Sequence, residues 1–329
     1  MTYLFLGLIL GIIIGANDAV NVFGSAIGSK MLKFSHAITF FIIFVILGAV
    51  INAEYPSAIY KKIAPDYFSI QNTVLILIPV IFTTLFSIKL KISSSISQSL
   101  IFSIVGYALA KELSIDNVLL KQITLIWILT PFFSYILSIF FYYLLKLFLS
   151  SLHLNIFYQD FVIRSLLIIF GCVAAFALGS NLTASIVGIF TPYIDQSILI
   201  NKNILFFLGA LCIGLGALFF SKKIIFNIGS NVSKINPVSA LAILATQILV
   251  LLFFSSQLII ENLNEIFNIN LFAMPISASH VTLSSILGIA TFKKFKETNF
   301  KNFFMIISSW IYLPAVVFVI SYSMTLLFG

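Results

Sequence analysis

Charge is what this sequence has least of. In 329 residues there are 18 lysines and arginines and 10 acids, while 61% of the chain is hydrophobic. Mean hydropathy is +1.16. No soluble globular domain can be cut from such a composition, so residues 1–329 read as one membrane-embedded domain. Cysteine is almost missing too. Cys172 and Cys212 each lie inside an apolar run, which fits packing and is silent on redox compartment. Histidine is limited to His36, His153 and His280, and no Cys/His metal spacing appears, so soft-metal chemistry has no ligands to work with.

What is present is long apolar runs. Ten are long enough to matter at about 20 residues per span: 3–27, 36–52, 70–88, 92–110, 118–148, 160–190, 203–220, 235–257, 272–292 and 299–328. The first has neither a basic leader nor a small-residue cleavage site and reads as a retained helix rather than a signal peptide. The net charge of +8 suggests nucleic acid only until the charges are placed. Lys30, Lys33, Lys89, Lys91, Lys146, Arg164, Lys222, Lys223, Lys234, Lys293, Lys294, Lys296 and Lys301 all fall in alternate loops, which hold just two acids, Asp160 and Glu297. The remaining loops carry Lys61, Lys62, Lys111, Lys121 and Lys202 against seven acids. The positive-inside rule makes the first set cytoplasmic and puts both termini outside a multi-pass protein of the cell membrane. These lysines are topology signals and lipid contacts; no nucleic-acid partner is needed.

One stretch breaks the first run. Residues 15–29, GANDAVNVFGSAIGS, bring Asn17, Asp18 and Asn21 to a depth where a carboxylate costs a few kcal/mol, so Asp18 should face protein or water. The flanking glycines are expected to let the helix open, which is tolerated at membrane depth only where backbone lines a cavity. The competing reading is a glycine-rich packing face with one stray acid.

The pattern recurs. Gly179, Asn181 and Gly188 repeat the spacing of Gly15, Asn17 and Gly24, and Lys91–Ser99 (KISSSISQS) answers to Pro275–Thr282 (PISASHVT). Five segments separate equivalent points, an odd number, so the halves 1–148 and 158–329 should be inverted relative to each other. Inverted repeats with interrupted helices in matching places point to a secondary transporter with its site between the repeats. The expected fold is all-α and polytopic, about 5 + 5 spans with broken helices, rising to twelve if segments four and nine are split.

GANDAVNVFGSAIGS resembles the signature of the PiT family of inorganic phosphate transporters, GANDxxNxxGxxxGS, and PISASH resembles that family's second signature. The resemblance implies an inverted-repeat transporter that moves phosphate with sodium or protons, with a sulfate-carrying branch. Two departures stand out: the second copy of the first motif reads Asn181-Leu182 with Ser185, and Lys91 and Ile96 fall where the serine motif would have Pro and His. One half of the cation chemistry is therefore missing.

A tetrahedral oxyanion needs converging donors, which helix N-termini supply. Ser93, Ser94 and Ser95 in one half, with Ser277, Ser279 and His280 in the other, are the expected substrate groups, since hydroxyls at such places cap helices or donate to anions. His280 could equally be a donor, a proton carrier or a satisfied interior group. Asp18 with the side-chain carbonyls of Asn17, Asn21 and Asn181 offers hard oxygens suited to Na+ (at Asn17, Asp18 and Asn181) or H+. Phosphate near neutral pH retains a proton to donate to Asp18, whereas sulfate only accepts; sulfate is the second choice. No cofactor is expected. A homodimer is admitted as the assembly. An intramembrane enzyme is disfavoured because Ser279 and His280, adjacent on one helix, do not face each other. A channel is separated from a transporter by concentrative, cation-dependent uptake.

Overall fold

The computed structural model describes residues 2–64, 72–90, 94–190, 201–231, 235–268, 271–293 and 300–329. Regular structure among them is helical throughout: α1 (Thr2–Gly28), α2 (Phe34–Asn52), α3 (Glu54–Ile63), α4 (Asn72–Lys89), α5 (Ile96–Ala110), α6 (Asn117–Ser151), α7 (Ile156–Val187), α8 (Lys202–Asn231), α9 (Pro237–Ser255), α10 (Gln257–Phe267), α11 (Ala278–Phe292) and α12 (Phe300–Phe328). Polar caps set several starts. Asp116 accepts from the amides of Val118 and Leu119 ahead of α6. Asn155 does the same for α7, and Asn236 for α9, where Pro237 occupies the first turn.

Among the described residues, eight helices are long and apolar enough to cross a bilayer: α1, α2, α4, α6, α7, α8, α9 and α12. The fourth and ninth apolar segments behave differently. They form α5 and α11, each of 15 residues, or about 22 Å of helix against a hydrocarbon core of about 30 Å. Each begins after non-helical backbone, residues 94–95 in one case and 271–277 in the other. Of the ten apolar segments, eight thus form full-length helices and the fourth and ninth form half-length ones. The short links of the sequence reading also hold two extra amphipathic helices, α3 and α10.

The surface is inverted relative to a soluble protein. Phe132, Ile128 and Ile311 are exposed, whereas Ser134, Ser138, Thr130 and Ser321 are buried. Small and hydroxylated residues hold the interior together, as expected where lipid removes the hydrophobic drive between helices. Two crossings are built the same way. Along α1 and α8, a Cβ on Gly15 would lie 1.8 Å from the Ile213 carbonyl oxygen, and one on Gly216 1.9 Å from that of Ile12. Along α7 and α2, Gly179 meets Val45 and Gly48 meets Phe176 in the same fashion, at 2.3 and 1.9 Å. α11 lies along α6 as α5 lies along α12. The sequence WIxxP occurs once in each of these long partners, at Trp127–Pro131 and Trp310–Pro314.

α1 corrects one expectation outright. It runs without interruption from Thr2 to Gly28, and α7 runs through its own copy of the motif to Val187. The glycines do not open the helix. Gly15 and Gly179 instead let another helix's backbone approach, which is the packing reading of such glycines.

Candidate functional site

Three polar centres meet in the interior, and the sequence-predicted residues divide among them. The first is on α1. Asn17, Asp18 and Asn21 are all buried, none more than 8% exposed. Asn21 Nδ2 donates to Asp18 Oδ1 at 2.7 Å, and Asn17 Nδ2 to the same oxygen at 3.4 Å. Their spacing places all three on adjoining turns of one helix, so the carboxylate is held by two amides from its own strand of sequence. Both amide nitrogens are spent on Asp18 Oδ1. Asp18 Oδ2 and the two amide oxygens accept no hydrogen bond among the described residues, leaving three hard oxygens for a cation.

The second centre is the meeting of α5 and α11. Ser95 caps α5 by accepting from the Gln98 amide at 3.4 Å, and Ser277 caps α11 by accepting from the His280 amide at 3.3 Å. Just inside each cap a hydroxyl reaches across to the other element. Ser97 Oγ donates to the Ile276 carbonyl and Ser279 Oγ to the Ser94 carbonyl, both at 3.3 Å. The two contacts are reciprocal: in each case the acceptor is the residue just before the other helix's cap. The N-termini therefore abut, and their free backbone amides and dipoles converge. Ser87 of α4 donates to Ser94 Oγ at 2.9 Å, and Trp127 Nε1 of α6 fixes the Pro275 carbonyl at 2.8 Å. Ser93 lies outside the described residues.

This geometry shifts the register of the serine motif by two. Aligning the caps puts Ser95 with Ser277, Ser97 with Ser279 and Gln98 with His280, instead of Ile96 with His280. The cap is the physical marker of where a helix begins, and SSSIS contains too many serines for spacing alone to identify it. Gln98 was consequently missed; SISQ read against SASH was the available signal. Gln98 Oε1 and both ring nitrogens of His280 are buried with no hydrogen-bond partner among the described residues. His280 is instead stacked on Trp310, with ring centroids 3.9 Å apart. Such groups cost about 1–3 kcal/mol each when left unpaired, and a pair of them at equivalent places makes this junction the candidate site.

The third centre is on α7. Asn181 Nδ2 donates to the Ile276 carbonyl at 2.7 Å, so Asn181 is tied to the stretch before α11 and not hydrogen-bonded to Asp18. The Ile276 carbonyl receives both Asn181 and Ser97. Ser185 pairs with the Tyr60 hydroxyl of α3 at 2.6 Å. Gln247 of α9, also missed, joins the first two centres: its Nε2 donates to the Asn21 carbonyl at 2.6 Å and to Thr282 Oγ1 of α11. A lone glutamine inside an apolar run carried no spacing signal.

The family model described as the phosphate transporter family matches residues 14–159 and 153–321. The chain is 25% identical over 310 residues to a protein provisionally named a phosphate permease, from Methanocaldococcus jannaschii, covering 94% of this chain and 91% of that one. It is 26% identical over 321 residues to a sulfate permease of Bacillus subtilis, covering 96% and 84%. Among solved structures it is similar to a sodium-dependent phosphate transporter, with a TM-score of 0.81, 18% identity and 99% of both chains covered. That last likeness speaks to the fold.

Proposed function

The chain belongs to the phosphate transporter family, and from that premise we propose that this multi-pass membrane transporter is a cation-driven phosphate symporter. Phosphate binds where the α5 and α11 N-termini abut, and the coupling cation, Na+ or H+, binds at Asp18. The observation that carries the reading is the pair of reciprocal contacts, Ser97 to Ile276 and Ser279 to Ser94. They bring two half-length helices N-terminus to N-terminus, with Gln98 Oε1 and both His280 ring nitrogens unpartnered among the described residues beside the junction. An oxyanion there meets amide N–H groups, dipole ends and side-chain donors from both sides without a compensating acid.

The serines work twice. Ser95 and Ser277 accept from backbone amides as caps, and their hydroxyl protons are left to donate to the anion. Ser94, with Ser93 beside it in sequence, completes the first half's donor set. On α1, Asp18 supplies the charge that a cation needs, and Asn17 and Asn21 supply neutral oxygens. Gln247 links that cluster to α11, so that filling one site bears on the geometry of the other. We take residues 1–148 and 158–329 as the two inverted repeats. The matched glycine crossings, the matched WIxxP helices and the equal lengths of α5 and α11 support that division. Rocking of one repeat against the other around the junction would expose it alternately to the two sides.

Phosphate is preferred to sulfate on the match to the phosphate transporter family and the likeness to a protein provisionally named a phosphate permease. A relative named as a sulfate permease makes sulfate the second reading. Radiolabelled uptake into proteoliposomes, comparing the two anions under sodium and proton gradients, decides among them. Concentrative phosphate uptake that collapses with the cation gradient is the expected result; downhill flux indifferent to both gradients would make this a channel and overturn the proposal.

A further inference from the structure

The polar turn of α1 and its counterpart on α7 have the same spacing and opposite electrostatics. Asn17, Asp18 and Asn21 present a buried carboxylate with unoccupied oxygens. Asn181, Leu182 and Ser185 present no charge, and the Asn181 amide nitrogen and the Ser185 hydroxyl are engaged. Asn181 Nδ2 is bound to the Ile276 carbonyl. Ser185 Oγ donates to the Asn181 carbonyl at 3.2 Å and pairs with the Tyr60 hydroxyl. Tyr60 also engages Ser97, which returns to the Ile276 carbonyl. The result is a closed ring of neutral groups running through α3, α7, α5 and the approach to α11.

Tyr60 fits there because of Gly188. A Cβ on Gly188 would lie 2.7 Å from Tyr60 Cδ2 and 3.0 Å from the Ser57 carbonyl oxygen, so the absent side chain leaves the room for the phenol. Tyr60 is 1% exposed and Leu182 3%. A cation entering this ring would lose its hydration with no anionic partner, and it would have to displace an aromatic side chain packed on a helix backbone.

We infer that this transporter couples each anion to one cation only, bound at Asp18, because Tyr60 and Leu182 close the equivalent position in the second half. The inference rests on the proposed reading of Asp18 as the cation ligand. A neutral second half makes the coupling ratio a property of α1 alone. It also gives Tyr60 a positioning role, since the same hydroxyl that plugs the counterpart site holds Ser97 at the α5–α11 junction.

The test is thermodynamic. Purified protein in proteoliposomes is given [32P]phosphate at zero membrane potential and a tenfold Na+ gradient in one arm, or a tenfold proton gradient with phosphate counted as H2PO4− in the other. Accumulation in the arm that drives uptake should stop at about tenfold, the first power of the gradient; a ceiling approaching about a hundredfold would mean two cations and overturn the inference. Leu182→Asp restores an acid while Tyr60 still holds the space, so its ceiling should be unchanged. A ceiling raised to the second power in that variant would show the position open and refute the closure. Asp18→Asn separates this inference from the reading beneath it. Loss of accumulation in Asp18→Asn together with a second-power wild-type ceiling sinks the single-cation inference alone. Full accumulation by Asp18→Asn sinks the cation assignment itself.

Discussion

Gln98 and His280 occupy the same position on two short helices, three residues beyond a serine cap, yet one is an amide and the other an imidazole. A neutral amide always has two N–H donors to turn toward an anion, whereas a neutral imidazole has one and must hold the right tautomer. Gln98→Ala should therefore raise the half-saturating phosphate concentration by about tenfold or more, the usual effect of removing a hydrogen bond to a charged group. Gln98→Glu, nearly the same size, loses both donors and adds a like charge, so binding should be lost. Surface amount and thermal midpoint should stay near wild type in both. If instead both variants fold poorly and the survivors transport with unchanged affinity, Gln98 is a core residue. A second residue-scale expectation concerns Ser97→Ala and Ser279→Ala. Each breaks one of two equivalent contacts, so their effects on half-saturation should be similar, and the double variant should differ from the sum because the partners share one junction. Asp18 was legible in the sequence because a carboxylate inside an apolar run is costly and stands out. Gln98 was not, because a glutamine after five serine-rich residues has no cost that composition can reveal, and its register depends on which serine becomes the cap.

At the scale of elements, hydropathy marked the long helices well, since about 20 apolar residues is a physical requirement for crossing. It could not mark the half-length ones. A run of apolar residues looks the same whether the backbone crosses fully or enters, turns extended and continues as helix, as residues 271–277 and α11 do. It also misjudged the glycines. Glycine in a membrane helix has two uses, breaking the helix or admitting a neighbour, and only the packing partner distinguishes them. Here the partner backbone is in place at four glycines on two crossings, so packing wins. The cost of adding a methyl should follow. Gly48→Ala puts a Cβ 1.9 Å from the Phe176 carbonyl oxygen, and the helices must separate. A loss of about 1–3 kcal/mol or more is expected, read as a lower thermal midpoint in detergent. Gly28→Ala is the control: nothing lies within 4 Å of its Cβ, and it should be neutral. Equal effects of the two would mean that close approach is not what these glycines provide.

At the scale of the whole molecule, the two sets of loops separated by charge also separate by contact. In the basic set, Arg164 Nη1 donates to the Met31 carbonyl at 2.7 Å, Lys222 lies over the Phe34 ring, and Lys293 donates to Ser239 Oγ while resting 4.2 Å above the Tyr142 ring. In the other set, the Asp116 amide donates to the Ile63 carbonyl, Lys202 pairs with Glu54 at 3.3 Å, and Lys62 sits over the Phe272 ring. The exposed ion pair adds little stability, but the pairing of loops within each set is what a protein with two aqueous faces requires. Which face is inside follows only from the lysines, because positive charge resists translocation and nothing in helix packing encodes orientation. The assignment is open to a direct check in a background where Cys172 and Cys212 are replaced by alanine. Lys30 and Glu261 are both exposed and lie in opposite sets. Lys30→Cys should resist a membrane-impermeant thiol reagent in intact cells and react once the cells are opened, and Glu261→Cys should react in both. The reverse pattern would turn the molecule over, placing the termini inside, and would leave the two-faced architecture and the α5–α11 junction as they are.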